Sequence, residues 1–182
     1  MKEILNTMLS ALTRGEGVML CSILKADGSS PRGAGAHMAV FSDGTALGTV
    51  GGGAVERQSI LLARELLKGK RNALRDFALH PEAANSTGMV CGGDVTAHFQ
   101  FIPAEDPLWN DTASRALALL EQHTAGWLVL AEDGSAPALL DKETVAAGSL
   151  PEDIAQTLRT PGFSMAAGYI CLLYTSPSPR DS

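Results

Sequence analysis

A chain of 182 residues with 45% hydrophobic and 19% charged residues has the length and composition of one globular domain, or of one domain and a fragment. Its net charge of −6 argues against general nucleic-acid binding. No apolar run approaches the roughly 20 residues that span a bilayer, and the start "MKEILNTMLSALTRGEG" carries Glu3 early, unlike a signal peptide. A cytoplasmic protein is expected. The three cysteines have no C-x-x-C spacing, which fits reduced thiols and neither a disulfide frame nor a zinc site.

Residues 2–14 space Ile4, Leu5, Met8, Leu9 and Leu12 as one helix face. "GVMLCSILKA" (17–26) is a continuous apolar run, the pattern of a strand buried on both faces. "HMAVFSDGTALGTV" reads as a hairpin around Asp43-Gly44, a pair suited to a type I′ turn. Ala54–Lys68 is helical, with Val55, Ser59, Leu62 and Leu66 as its stripe and Gly69 as its stop. "NALRDFALH" is a further candidate strand. "DVTAHFQFIP" alternates cleanly, with Val95, Ala97, Phe99 and Phe101 on one face and Thr96, His98 and Gln100 on the other. "DTASRALALLEQH" is helical, "WLVLAEDGSAPALL" is a second Asp-Gly hairpin, and "PEDIAQTLR" starts a short helix with proline in its first turn. No internal repeat is legible. The expected fold class is α/β, a mixed sheet with packed helices.

Three loops concentrate glycine: Asp27–Ala36, Gly48–Ala54 and Ser86–Asp94. Such loops at strand ends turn backbone N–H groups toward anions, above all at a helix N-terminus. A Rossmann G-x-G-x-x-G begun at Gly51 needs glycine where Glu56 stands, and a P-loop begun at Gly28 lacks its Lys-Ser/Thr. The plain alternative is a set of tight turns between short strands. Arg32, between Pro31 and Gly33, suits bidentate anion recognition, or is a solvated loop arginine. Glu56 lies where a carboxylate stabilises the helix dipole. Cys91, followed by Gly92-Gly93, is a candidate thiolate, whereas Cys21 inside an apolar run reads as core. His37 and His98 read as structural strand histidines. No Ser-His-Asp set can be assigned.

The segments "GSSPRGAGAHMAVFSDGTALGTVGGGAVE" and "GMVCGGDVTAHFQ" resemble the xanthine dehydrogenase accessory protein family, the XdhC/CoxI group. That family carries a Gly-Ser-Ser-Pro-Arg loop, a Gly-Gly-Gly-x-x-Glu junction and a Cys-Gly-Gly loop in this order. The resemblance is strong over about Gly17–Pro103 and weak elsewhere. It implies a cytosolic chaperone of the molybdenum cofactor (molybdopterin), a maturation factor more than an enzyme. Such a chaperone binds the cofactor transiently, helps it gain a sulfido ligand from a cysteine desulfurase, and delivers it to a molybdenum hydroxylase. By position the implied cofactor-binding residues are Ser30, Pro31, Arg32, Gly51, Gly52, Gly53, Glu56, Cys91, Gly92 and Gly93, with Cys91 touching the metal. Many relatives have cysteine where Ala54 stands here, and longer ones add a C-terminal Rossmann-type domain that nothing before Ile170 resembles. Rival readings are a fragment of a nicotinamide-dependent oxidoreductase and a cofactor-free assembly scaffold. A homodimer stays open.

The end, "CLLYTSPSPRDS" (Cys171–Ser182), breaks in composition with what precedes it. Its first eleven residues equal one reading frame of a transposon-type sequencing adapter. The segment is therefore expected to be an artefact that packs on nothing, and the natural protein to be truncated near Ile170. The expected division is an XdhC/CoxI-like domain over 1–105, its remainder or a linker over 106–170, and the artefact over 171–182.

Overall fold

The structure is a computed structural model that describes residues 1–27, 33–78 and 94–174. Two compact units divide it: Ser10–Glu105, and Met1–Leu9 together with Asp106–Ser182. Helix α1 (Lys2–Thr13) runs across the division and buries Ile4, Leu5, Met8 and Leu12, the stripe its spacing predicts.

The first unit is built on a five-stranded antiparallel sheet ordered β3-β2-β1-β5-β4. Its strands are β1 (Val18–Ala26), β2 (His37–Val40), β3 (Ala46–Gly48), β4 (Ala73–Ala78) and β5 (Asp94–Ile102). The apolar run at β1 takes the centre, where both neighbours satisfy its backbone, and Val18 to Leu24 are all buried. Helix α2 (Gly53–Gly69) packs Val55, Ala63 and Leu66 onto a core of Met19, Cys21, Ile23, Val40, Val95, Ala97 and Phe99. The alternation of β5 holds on that side. Its polar side is covered as well, with His98 1% and Gln100 2% exposed.

The second unit holds another five-stranded antiparallel sheet, ordered β8-β7-β6-β10-β9. Here the elements are α3 (Pro107–Glu121), β6 (Gly126–Ala131), β7 (Ala138–Leu140), β8 (Val145–Ala147), α4 (Glu152–Leu158), β9 (Ser164–Ala166) and β10 (Tyr169–Tyr174). Asp106 starts α3 by accepting from the backbone N–H groups of Leu108 and Trp109, with Pro107 in the first turn. Trp127, Val129, Leu140, Ala155, Leu158 and Cys171 form the core.

Helix, three strands, helix, two strands is thus written twice, and the two sheets have the same strand order. The absence of a legible repeat in the sequence stands beside this repeat in the fold. The repeat lies in topology and is silent in sequence, because burial on a sheet demands only apolar residues of fitting volume. Both Asp-Gly turns also differ from type I′. Only Gly44 and Gly134 have positive φ, at 84° and 73°, and each donates its N–H three residues back, to Phe41 and Ala131. Asp43 and Asp133 hold these turns by accepting from the N–H of Thr45 and Ser135, so a type I geometry with a closing left-handed glycine wins. At the end of α2, the left-handed residue is Lys70 (φ 50°), one place after Gly69.

The expectation that Cys171–Ser182 packs on nothing fails for its first four residues. Tyr169–Tyr174 pairs with β6 on one side and, through Tyr169–Cys171, with β9 on the other; Cys171 and Leu172 are buried. Main-chain pairing is indifferent to the origin of the codons, and Cys-Leu-Leu-Tyr continues the apolar run begun at Tyr169-Ile170. Residues 175–182 lie outside the described residues.

Candidate functional site

The described ends of all three glycine-rich loops leave the first sheet at one end. Asp27, after β1, donates its N–H to the carbonyl of Asp94 at 2.9 Å, and Asp94 also pairs with Ala78. Gly35 and Ala36, before β2, close onto Ile23 through backbone bonds of 2.8 Å each. Thr49, after β3, donates to the His37 carbonyl at 3.2 Å. Ser30, Pro31 and Arg32 lie outside the described residues, as do Cys91, Gly92 and Gly93.

Gly51, Gly52 and Gly53 are described, and each has positive φ, at 129°, 76° and 60°. Three successive positive φ values account for three successive glycines, since any L side chain would be strained there. A Cβ placed on Gly52 would meet nothing within 4 Å, so the conformation, and no neighbour, demands that glycine. The open space beside it leaves the backbone approachable.

What the turn accomplishes is the capture of Glu56. One carboxylate oxygen of Glu56, Oε2, accepts a short bond from the Thr49 hydroxyl. It also accepts from the Val50 N–H at 3.2 Å and the Gly52 N–H at 3.1 Å. The Gly51 N–H donates to Thr49 Oγ1 at 3.2 Å, which locks the same knot from the other side. Glu56 therefore reaches back from the first turn of α2 and serves as the loop's resident anion. The N–H groups of Val50 and Gly52, expected to face a ligand anion, are spent on it. Thr49 is a partner that the sequence reading missed. Its signal was available, a hydroxyl residue two places before the triplet and seven places before a glutamate.

The second unit supplies an internal comparison at the same junction. There the chain passes from β8 to α4 through Gly148-Ser149-Leu150-Pro151, with Gly148 at φ 74° and Leu150 buried as Val50 is. The scaffold thus joins its third strand to its second helix without a glycine triplet. Its last hairpin, β9 to β10, is closed by Ala167-Gly168 alone, where the first unit places residues 79–93 between β4 and β5.

Beside the loops, His37 is largely buried and holds the Gly35 carbonyl through Nδ1 at 3.0 Å. Burial pushes its pKa down, against the opposing pull of that carbonyl. Lys25 pairs with Asp27 at 2.7 Å, and the Thr96 hydroxyl donates to Asp76 at 2.7 Å, so the rim is charged and mutually satisfied. Burial pushes the Cys21 thiol up to about 12, with a smaller opposing effect from the Ser59 hydroxyl; it is inert core, as its run predicted. No group of three or more metal-ligating side chains occurs among the described residues.

Comparison with known proteins gives three results. Residues 11–78 match the model of the XdhC and CoxI family. The uncharacterized protein YqeB of Escherichia coli is 35% identical over 77 residues, which is 42% of this chain and 14% of YqeB. A crystal structure described as a xanthine dehydrogenase from Bacillus halodurans superposes with a TM-score of 0.71 at 22% identity, over 96% of this chain and 52% of that one. At that identity the likeness speaks for the fold. The chain spans about half of that structure and a seventh of YqeB. Residues 11–78, which hold β1 to β4 and the whole Thr49–Glu56 knot, are the part of this chain that matches the XdhC and CoxI family.

Proposed function

We propose that this protein serves the maturation of a molybdenum hydroxylase, as a chaperone that binds molybdenum cofactor at the glycine-rich end of the first sheet. The observation that carries the reading is the family match over residues 11–78, which spans two of the three loops. The described residues fit the cofactor in one respect and not in another. The backbone at Gly52 is open enough for a bulky ring system to lie against it. A terminal phosphate, however, finds the N–H groups of Val50 and Gly52 already donated to Glu56. In this proposal Gly51–Gly53 are a surface for close approach, and charge recognition falls to Arg32, whose fork suits an anion. Cys91 is the soft donor toward the metal. When bound, the group supplies the metal centre that the recipient hydroxylase needs. Sulfuration with a cysteine desulfurase, and delivery in the cytoplasm, are the finer parts of the same proposal.

Mass spectrometry of protein purified without oxygen tests it. Bound pterin is the expected result, and its absence from protein co-expressed with the cofactor pathway defeats the carrier reading in favour of a scaffold. Arg32→Ala should reduce occupancy at unchanged folding, by the roughly 1.5–3 kcal/mol of a charge-assisted contact. Cys91→Ser should impair activation of the hydroxylase while Cys21→Ser does not. Equal occupancy and activation in all variants would remove both side chains from the role.

A further inference from the structure

At the other end of the first sheet, away from the glycine-rich loops, lies a cleft of about 570 Å³. Its apolar surface comes from Phe41, Leu67 and Phe101, and its charged wall from Arg64, Lys68 and Lys70 at the C-terminal end of α2. Gly17 and Gly44 let two of these side chains lie close against the backbone. A Cβ on Gly17 would stand 2.7 Å from the Phe101 ring, and one on Gly44 would stand 2.9 Å from the Arg64 guanidinium.

The cleft lining sets three cationic side chains, Arg64, Lys68 and Lys70, against two carboxylates, in a chain that carries −6. Both carboxylates have partners within the protein. Glu16 pairs with Arg14 at 3.1 Å and accepts from the Ser42 hydroxyl at 3.0 Å. Asp43 accepts from the N–H and the hydroxyl of Thr45 at 2.9 and 2.7 Å. Arg64 is pinned to the Gly44 carbonyl at 2.7 Å. Lys68 and Lys70 are exposed, and neither is paired with a carboxylate among the described residues.

The second unit shows that the fold does not require this cavity. There too an arginine at the end of the second helix, Arg159, donates to a carbonyl of the hairpin turn, that of Asp141, at 3.0 Å. That corner is closed: the Arg159 side chain is only 12% exposed, and the indole of Trp127 donates to the Thr160 carbonyl at 2.9 Å. In the first unit the corresponding corner is kept open, lined with rings and given two unspent ammonium groups.

We propose that this cleft binds a phosphorylated heterocycle of mononucleotide size, its ring against Phe41, Leu67 and Phe101 and its phosphate against Lys68 and Lys70. The volume lies in the range of small-ligand pockets, and flat rings with an anionic handle match a wall that sets three apolar side chains beside three cationic ones. A Lys-phosphate contact at an open rim is a point-charge interaction and weakens with salt.

The test is a titration of the full chain with AMP, followed by amide NMR, beside adenosine and inorganic phosphate. Saturable shifts at Gly15, Gly44 and Lys70 are expected, with adenosine and phosphate each about tenfold weaker or more, since each lacks half of the contact. The double variant Lys68→Ala/Lys70→Ala should bind AMP about tenfold more weakly at an unchanged circular dichroism spectrum, because both side chains are exposed. Lys68→Glu should weaken it further. Equal affinity in these variants, absence of saturation, or displacement of AMP by a glutamate-rich peptide would overturn the proposal. Shifts confined to Gly51–Gly53 would overturn it too, while leaving the cofactor reading of the glycine-rich end intact.

Discussion

Glu56 is the residue on which the glycine-rich junction depends. Its Oε2 collects three donors, and removal would leave the Val50 and Gly52 N–H groups without their acceptor. Glu56→Ala is expected to cost about 1–3 kcal/mol in urea denaturation and to speed hydrogen exchange at Val50 and Gly52. Glu56→Gln keeps one acceptor oxygen and should cost less; equal losses in the two variants would show that the knot does not carry the stability. Gly52→Ala meets no neighbour, so its cost of roughly 1–3 kcal/mol is that of the backbone alone, at φ 76° and ψ −174°. His37 gives the site a pH dependence of definite sign. Its folded pKa lies below the ordinary 6.5 because of burial. The unfolded chain therefore takes up a proton first as pH falls, and the contribution is full above 6.5 and lost below it. His37→Gln should flatten the acid limb of the stability profile, and an unchanged limb would clear His37 of the effect.

Among the elements, β10 shows how far pattern alone reaches. Leu172 is 2% exposed, so Leu172→Ala should cost roughly 2–5 kcal/mol in a urea melt, against the near-zero cost of a segment that packs on nothing. Long elements were legible: the continuous apolar run of β1, the stripe of α2 and the alternation of β5 each name their structure, because many residues vote for one period. Short ones outside an Asp-Gly hairpin were not. β8 and β9 have three residues each, too few for a period to register, and they exist because a neighbouring strand offers them a ladder. The start of α3 was placed late because the Asp106-Pro107 cap was overlooked. At the site, the triplet announced a special backbone but not its purpose, since the partner of its N–H groups sits on the following helix and depends on a three-dimensional turn.

At the scale of the whole molecule, each unit carries one buried thiol among the described residues, Cys21 in the first and Cys171 in the second. Burial raises Cys21 to about 12 and Cys171 to about 11, so neither supplies thiolate near neutrality. In a Cys91→Ser background, Ellman's reagent at pH about 8 should find no thiol in the native protein. Denaturant should release both, one reporting on each unit; reaction of either in native buffer would contradict the packing described. The doubled topology has a further consequence for how the gene tolerates change. Two copies of one scaffold free each other from shared duties. One junction can keep a costly run of left-handed glycines, while its counterpart drifts to Ser-Leu-Pro and answers only to burial. A mutational scan selected on the yield of folded protein should therefore be asymmetric. Substitutions at Gly51–Gly53 should be purged, and polar replacements at the exposed Ser149 of the counterpart junction should survive as ordinary turn variants.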